Sequence, residues 1–375
     1  MSGAPVLLLR SSAGCTGLER RIVLIAGAAA AAGLQPHIAV FYRRRAGLPA
    51  THPLVTLARA AGSSASQIDD PAPASPAAPR ALAGLLAVLR PALIHTADYR
   101  SDALALLACR LAGVRPALAA TCHGHTGATP ALRLYEALDR RLLRQFDGVA
   151  GVSAYGCRTL RAWGVPAERV THLPNPLEPG WAEGLEPGAP AQFRRAWGIA
   201  GDERLVGFFG RPTPDKGLDL LLAAARGLGA RLLVAGPPPP PALRRLAPAG
   251  TVFAGPLADV RPAMLACDVV AVPSRREAFG LAALEALGLS RPVVATDAGG
   301  LPELIRPGDT GWVVPAGDPT ALADGLAAAL SDPPAAAEMG RRGRADVEAR
   351  FAACEILPRV VAFYSHLLDL GRNRA

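Results

Sequence analysis

Glu277 and Glu285 stand eight positions apart, with Phe279 and Gly280 between them. They sit in residues 273–303, PSRREAFGLAALEALGLSRPVVATDAGGLPE, which follow an apolar run (DVVAV) and contain another (PVVATD). A helix opening near Phe279 and Gly280 presents free backbone N–H groups and the positive end of its dipole, a setting for phosphate. A carboxylate offers two acceptor oxygens, which suits vicinal hydroxyls. Glu285, two turns into that helix, is placed for a ribose. Glu277, just ahead of it, is placed for a second sugar. Ala278, Phe279, Gly280 and Leu281 line the same turn and join the candidate binding set. Two acids at this spacing also occur on an ordinary helix surface; the strand–helix–strand context favours the site.

Cations are needed to match such a ligand. In LVGFFGRPTPDKGLDLLLAAA, Arg211 follows a strand-like run and Lys216 precedes a helix-like one. A forked guanidinium and a point-charge ammonium flanking one turn can converge on a pyrophosphate. A solvated strand-to-helix loop would look similar. Lys216, however, is the only lysine in a chain with 40 Lys and Arg, which favours a chemical role. The pattern is not a Walker A loop, since GxxxxGK[ST] is absent.

A third candidate is His123, in TCHGH directly after a strand-like run, with Gly124 permitting close approach. His125 is a lesser candidate, and the two histidines lack a nearby third ligand for a metal. The short loop before Gly17 could meet phosphate or acceptor, or be a plain turn; GxGxxG is not met. Tyr99, Arg100 and Asp102 follow another strand-like run and could touch an acceptor or form a solvated loop, and Asn175-Pro176 could simply make a turn.

The elements that must position these residues alternate along the chain, which implies parallel sheets with helices on both faces. Strands are expected at 6–9, 38–41, 93–96, 117–121, 148–152 and 170–173. Helices are expected at 17–33, 80–89, 101–113, 130–145 and 154–164. The Gly/Pro-rich stretch 175–199 marks a boundary. Strands then resume at 205–209, 231–235, 251–254, 268–272, 292–296 and 311–314. Residues 346–370 read as a helix broken at Pro358. Two doubly wound halves place ligands at the carboxyl ends of strands, in a crevice between domains.

Composition narrows the function classes. The net charge of +9 suits an anionic partner, but no basic block resembles a nucleic-acid-binding tail, and aromatics are only 5%. No apolar run reaches the roughly 18 residues of a membrane span. Residues 22–34 could imitate a signal peptide, but the strand-like runs on both sides mark a buried first helix. The six cysteines show no C-x-x-C or metal spacing and read as reduced thiols of a cytoplasmic protein.

Taken together, VGFFGRPTPDKG, DVVAVPSRREAFGLAALEALGLSRPVVATDAGGLPELI and GDTGWVVPAGDPTALADGL, with IHTADYRSDALA, ATCHG, GVAGVSAYG and VTHLPNPLE, resemble a family 4 glycosyltransferase of the GT-B fold. The resemblance implies two Rossmann-like domains of parallel sheet. Residues 1–176 would be the acceptor side, completed by a crossing helix at about 359–375, and 177–358 would bind the donor. It places the family's basic pair on Arg211 and Lys216, its E-x7-E motif on Glu277 and Glu285, and its histidine on His123. It implies transfer from a nucleotide diphosphate-sugar to a glycan or lipid-linked acceptor, with retention, no metal and no cofactor, in cell-surface polysaccharide or glycolipid synthesis. Work at the inner face of a membrane would fit the arginine-rich surface. Two departures, Thr16 before Gly17 and Asn175-Pro176 in place of Asn-Gly, touch the acceptor side and hinge only. The other readings are a GT-B-shaped epimerase or sugar phosphorylase, and a scaffold that binds sugar nucleotides without chemistry.

Overall fold

The computed structural model describes residues 3–15, 17–44, 47–72, 75–124 and 130–372. The chain divides into two compact units, Met1–Pro176 with Ala353–Ala375, and Leu177–Ala352. The first runs β1 (Pro5–Ser11), α1 (Gly17–Ala31), β2 (Gln35–Tyr42), α2 (Pro53–Ala60), β3 (Ser64–Asp69), α3 (Ala77–Leu89), β4 (Leu93–Thr96), α4 (Tyr99–Ala112), β5 (Ala117–Cys122), α5 (Pro130–Leu142), β6 (Gly148–Gly151), α6 (Ala154–Ala162) and β7 (Val170–His172). Its sheet is parallel in the order β3-β2-β1-β4-β5-β6-β7.

The second unit runs α7 (Ala189–Ala196), β8 (Leu205–Phe209), α8 (Leu218–Ala224), β9 (Arg231–Ala235), α9 (Pro241–Arg244), β10 (Val252–Gly255), α10 (Arg261–Ala266), β11 (Val269–Val272), α11 (Leu281–Gly288), β12 (Val293–Thr296), α12 (Leu301–Leu304), β13 (Trp312–Val314), α13 (Pro319–Ser331) and α14 (Pro333–Phe351). Its sheet is parallel in the order β10-β9-β8-β11-β12-β13. Each sheet changes direction once, at β1/β4 and at β8/β11, and ligands of doubly wound sheets bind beyond the strand ends at such points.

The central strands are covered on both faces, β11 by apolar residues throughout and β4 with its polar His95 and Thr96 hydrogen-bonded inside. β4, β11 and β12 are buried at every residue, as expected of parallel strands covered by helices. Helix starts are fixed by side chains. Asp98 and Ser101 form a reciprocal capping box on α4, and the Asp318 carboxylate accepts from the first turn of α13.

The last helix corrects one expectation. The chain breaks at Ala352, which is extended (φ −55°, ψ 147°), and α15 (Ala353–Arg372) runs through Pro358 without interruption. Pro358 lacks an N–H for the carbonyl of Cys354, but both residues lie on the exposed face, where a carbonyl without an intrahelical partner costs little. The opposite face inserts Ile356, Val360, Phe363, Tyr364, Leu367 and Leu368 into the core of the first unit. A second addition is β3, an edge strand absent from the sequence expectations. Among the described residues no helix is long and apolar enough to cross a membrane.

Candidate active site

In the second unit the two singled-out motifs meet. β8 and β11 are neighbours, and the loops leaving them carry Lys216 and Glu277. Lys216 Nζ donates to Glu277 Oε2 at 2.7 Å, and Ser274 Oγ donates to the same oxygen at 3.2 Å. Thr296, at the end of β12, donates to the Ser274 carbonyl at 2.5 Å. Glu277 Oε1 makes no hydrogen bond among the described residues, so one carboxylate oxygen and the remaining ammonium hydrogens are available to a ligand.

The loop bearing Glu277 is clamped from both sides by backbone approaches that require glycine. Gly217 has φ +68°, and a Cβ there would lie 1.9 Å from the Pro273 carbonyl oxygen. Gly299 has φ +59°, and its Cβ would lie 1.8 Å from the Glu277 carbonyl oxygen. That oxygen also accepts from Gly300 N–H at 3.0 Å. The Asp215 carbonyl accepts from the N–H groups of Arg275 (2.7 Å) and Arg276 (3.2 Å), tying the Lys216 turn to the same loop. Asp215 itself is buried, and neither carboxylate oxygen has a hydrogen-bond partner among the described residues.

α11 begins at Leu281, with Gly280 as its N-cap and no side chain capping it. Its first-turn N–H groups thus lack a side-chain acceptor, the arrangement that receives an anion. Ala278 and Leu281 flank this turn, half-buried. Phe279 is a core residue, its ring edge-on to Phe351 with centroids 5.6 Å apart, so the ring is taken up by packing. Glu285 is buried, and its carbonyl accepts from Trp181 Nε1 at 2.8 Å. Arg211, just beyond β8, is exposed with no side-chain partner among the described residues.

In the first unit, His123 follows β5 and lines a cavity of about 40 Å³ together with Arg21, His95, Thr121 and Asn175, over apolar Leu8, Ile22, Ile25 and Val360. Burial, reinforced by the Arg10 guanidinium, pushes the His123 imidazole down to about 3, so it is neutral near pH 7. The sequence reading gave no role to Arg21 or His95. Arg21 donates to the carbonyls of Pro176 (3.1 Å) and Gly17 (2.7 Å), joining the start of α1 to the end of the unit's first segment. His95 Nδ1 lies 2.5 Å from the Tyr364 hydroxyl, and Nε2 lies 2.7 Å from Thr121 Oγ1. Burial lowers His95 to about 4.

The remaining acceptor-side candidates separate. Tyr99 is exposed and stacks on Tyr135, centroids 6.0 Å apart. Arg100 is engaged with buried Asp70 through Nε–Oδ2 (2.8 Å) and Nη2–Oδ1 (2.5 Å), a structural tie. Asp102 is buried, and burial with the neighbouring Asp139 carboxylate holds it well above the usual carboxylate range. Gly17 is the first residue of α1. His125 lies outside the described residues. No group of three or more His, Cys, Asp or Glu placed to hold a metal occurs among the described residues.

Comparison with known proteins gives this geometry a family. Residues 16–180 match the model described as Glycosyltransferase Family 4, and residues 203–332 match Glycosyl transferases group 1. The D-inositol 3-phosphate glycosyltransferase of Mycobacterium avium is 42% identical over 186 residues, 43% of this chain and 42% of that protein. The Mycolicibacterium smegmatis protein of the same name is 35% identical over 212 residues, 50% of this chain and 46% of its own length. The chain therefore matches less than half the length of these relatives. Anabaena HepE, solved with UDP-glucose, superposes with a TM-score of 0.83 at 21% identity, covering 96% of this chain and 99% of that one. Sucrose-phosphate synthase from Thermosynechococcus elongatus superposes at 0.80 with 24% identity, covering 98% and 100%. With two Rossmann-like sheets and a matching family model on each, the chain belongs to the family 4, group 1 glycosyltransferases of the GT-B fold.

Proposed function

We propose that the chain transfers a sugar from a nucleoside diphosphate-sugar to a glycan or lipid-linked acceptor with retention of configuration. The observation that carries this reading is the Lys216–Glu277 bond, which joins two distant motifs at the sheet's switch point. In the proposed ground state Glu277 holds hydroxyls of the transferred sugar, Glu285 those of the ribose, and the α11 N-terminus a phosphate. Arg211 and Lys216 offset the charge that grows on the leaving diphosphate, work done without a metal ion in this scheme. Neutral His123 exchanges a hydrogen bond with a sugar hydroxyl on the acceptor side. No carboxylate nucleophile is assigned there, so the departing phosphate oxygen takes the acceptor's proton as the new bond forms on the face the diphosphate leaves.

The neighbours solved with UDP and UDP-glucose support a nucleotide-sugar donor, and the inositol phosphate named for the relatives joins lipid-linked glycans among the acceptors to screen. Membrane-surface work is part of the same proposal. Lys216→Ala is expected to lower kcat by about 10²- to 10³-fold, the usual effect of removing one transition-state charge partner, with the unfolding midpoint little changed. Near-normal turnover would remove Lys216 from the mechanism. Release of nucleoside diphosphate only when acceptor is present separates transfer from epimerisation, and the anomeric signal of the product tests retention.

A further inference from the structure

Helix α5 is turned inside out. Its two acids, Glu136 and Asp139, are buried against the body of the first unit. Leu134, Tyr135 and Leu138 are instead 71%, 43% and 48% exposed. All the arginines of the helix and of the short turn after it, Arg133, Arg140, Arg141 and Arg144, are exposed as well. Leu134, Leu138 and Arg141 follow at helical spacing and form one stripe. At the far end Arg140 lies over the Trp163 ring, 4.9 Å from its centroid, and Arg144 donates to the Trp163 carbonyl at 2.7 Å. Arg133 and Arg141 have no side-chain partner among the described residues.

Apolar side chains ringed by arginine, with every acid of the helix withdrawn, match one kind of surface: hydrocarbon beneath a layer of negative headgroups. A second copy of the chain is a poor occupant, because two-fold pairing would set these arginines against each other. We propose that α5 is the docking surface for an anionic lipid bilayer. Leu134, Tyr135 and Leu138 enter the boundary of the acyl layer, and Arg133 and Arg141 sit at headgroup phosphates. This locates the membrane contact proposed above and rests on that part of the reading alone, not on sugar transfer.

The test is co-sedimentation of the full chain with vesicles of phosphatidylcholine alone and of phosphatidylcholine mixed with phosphatidylglycerol. Binding is expected to the mixed vesicles only, and to weaken as salt is raised. Arg133→Gln/Arg141→Gln is expected to lower partitioning about 30-fold, from the surface attraction of two arginines. Leu134→Gln/Leu138→Gln is expected to lower it about 10-fold or more at any salt. Four results would overturn the proposal: no binding to mixed vesicles, equal binding to both kinds, double variants that bind like the wild type, or a dimer in solution that the leucine variant abolishes. The wild-type dependence on lipid composition stands as a test even if a variant folds poorly. Thermal shift with UDP-glucose, run on the same samples, reports the donor reading separately.

Discussion

Gly299→Ala should disable the donor site from a residue that need not touch the donor. The added Cβ would stand 1.8 Å from the Glu277 carbonyl oxygen, and real Cβ contacts essentially never fall below 3.0 Å, so one of the two must retreat by at least about 1.2 Å. The move stretches the 3.0 Å bond from Gly300 N–H to that oxygen, at a cost of about 1 kcal/mol. It also draws the Glu277 side chain away from Lys216, now at 2.7 Å. Left-handed backbone at Gly299 adds about 1–2 kcal/mol of strain for alanine. Gly317→Ala isolates the strain, because Gly317 has φ +85° and nothing within 4 Å of the added atom. Both variants should lose about 1–2 kcal/mol in urea unfolding from the backbone alone, with Gly299→Ala losing about 1 kcal/mol more. Turnover separates them further. A 1 Å displacement of a group that holds substrate costs up to about 10²-fold, so Gly299→Ala should lose most acceptor-dependent release of nucleoside diphosphate, while Gly317→Ala keeps it. Equal turnover in the two variants would refute the clamp.

Two further outcomes concern pH and stability. Asp102 has a raised pKa in the fold, so the folded chain holds its proton where the unfolded chain has released it, and stability falls as pH climbs from the ordinary carboxylate range toward that raised value. Asp102→Asn should therefore be more stable than wild type at pH 7 to 8 and lose this advantage near pH 4, measured by unfolding midpoints across that range. His95 runs the other way. Its pKa is lowered to about 4, so stability is lost as pH falls from about 6.5 toward 4, by at most about 3 kcal/mol. His95→Gln should flatten part of that limb, with His123 accounting for a similar slope that remains; an unchanged acid limb would show that His95 does not titrate as described.

The six strands of the second unit were legible because most are continuous apolar runs covered on both sides. β3, SASQID, was not, because an edge strand pairs on one side only and needs little apolar content. Its exposed face is instead held by the His37 ring, whose nitrogens lie 2.7 and 2.8 Å from the hydroxyls of Ser64 and Ser66. The helix break was read at Pro358 because proline marks breaks in general, whereas Ala352 carries no local signal and bends where it bridges to Leu177. In the site, the Lys216–Glu277 pairing was foreshadowed by two local motifs. The His95–Tyr364 contact links residues 269 positions apart and becomes visible only once α15 has returned to the sheet. Asp102 and Asp139 were hidden for a related reason: each looks like a surface acid of its own helix until the helices pack.

The return of α15 also sets an order of events during synthesis. Leu177–Ala352 is contiguous in the chain and can close its core as soon as it has emerged from the ribosome. The first unit, although most of it is made before the second, has to wait for α15, which is made after the second. Phe363 lies where a Cβ on Gly148 of β6 would be, 2.7 Å away, and Tyr364 is fully buried beside His95. Until they arrive, β5 and β6 keep an apolar face uncovered. Each large side chain of α15 contributes about 2 kcal/mol on burial, and six of them enter the core of the first unit. A chain released after Ala352 would thus carry a closed second half and an open first half, the segment on which a chaperone would be expected to dwell.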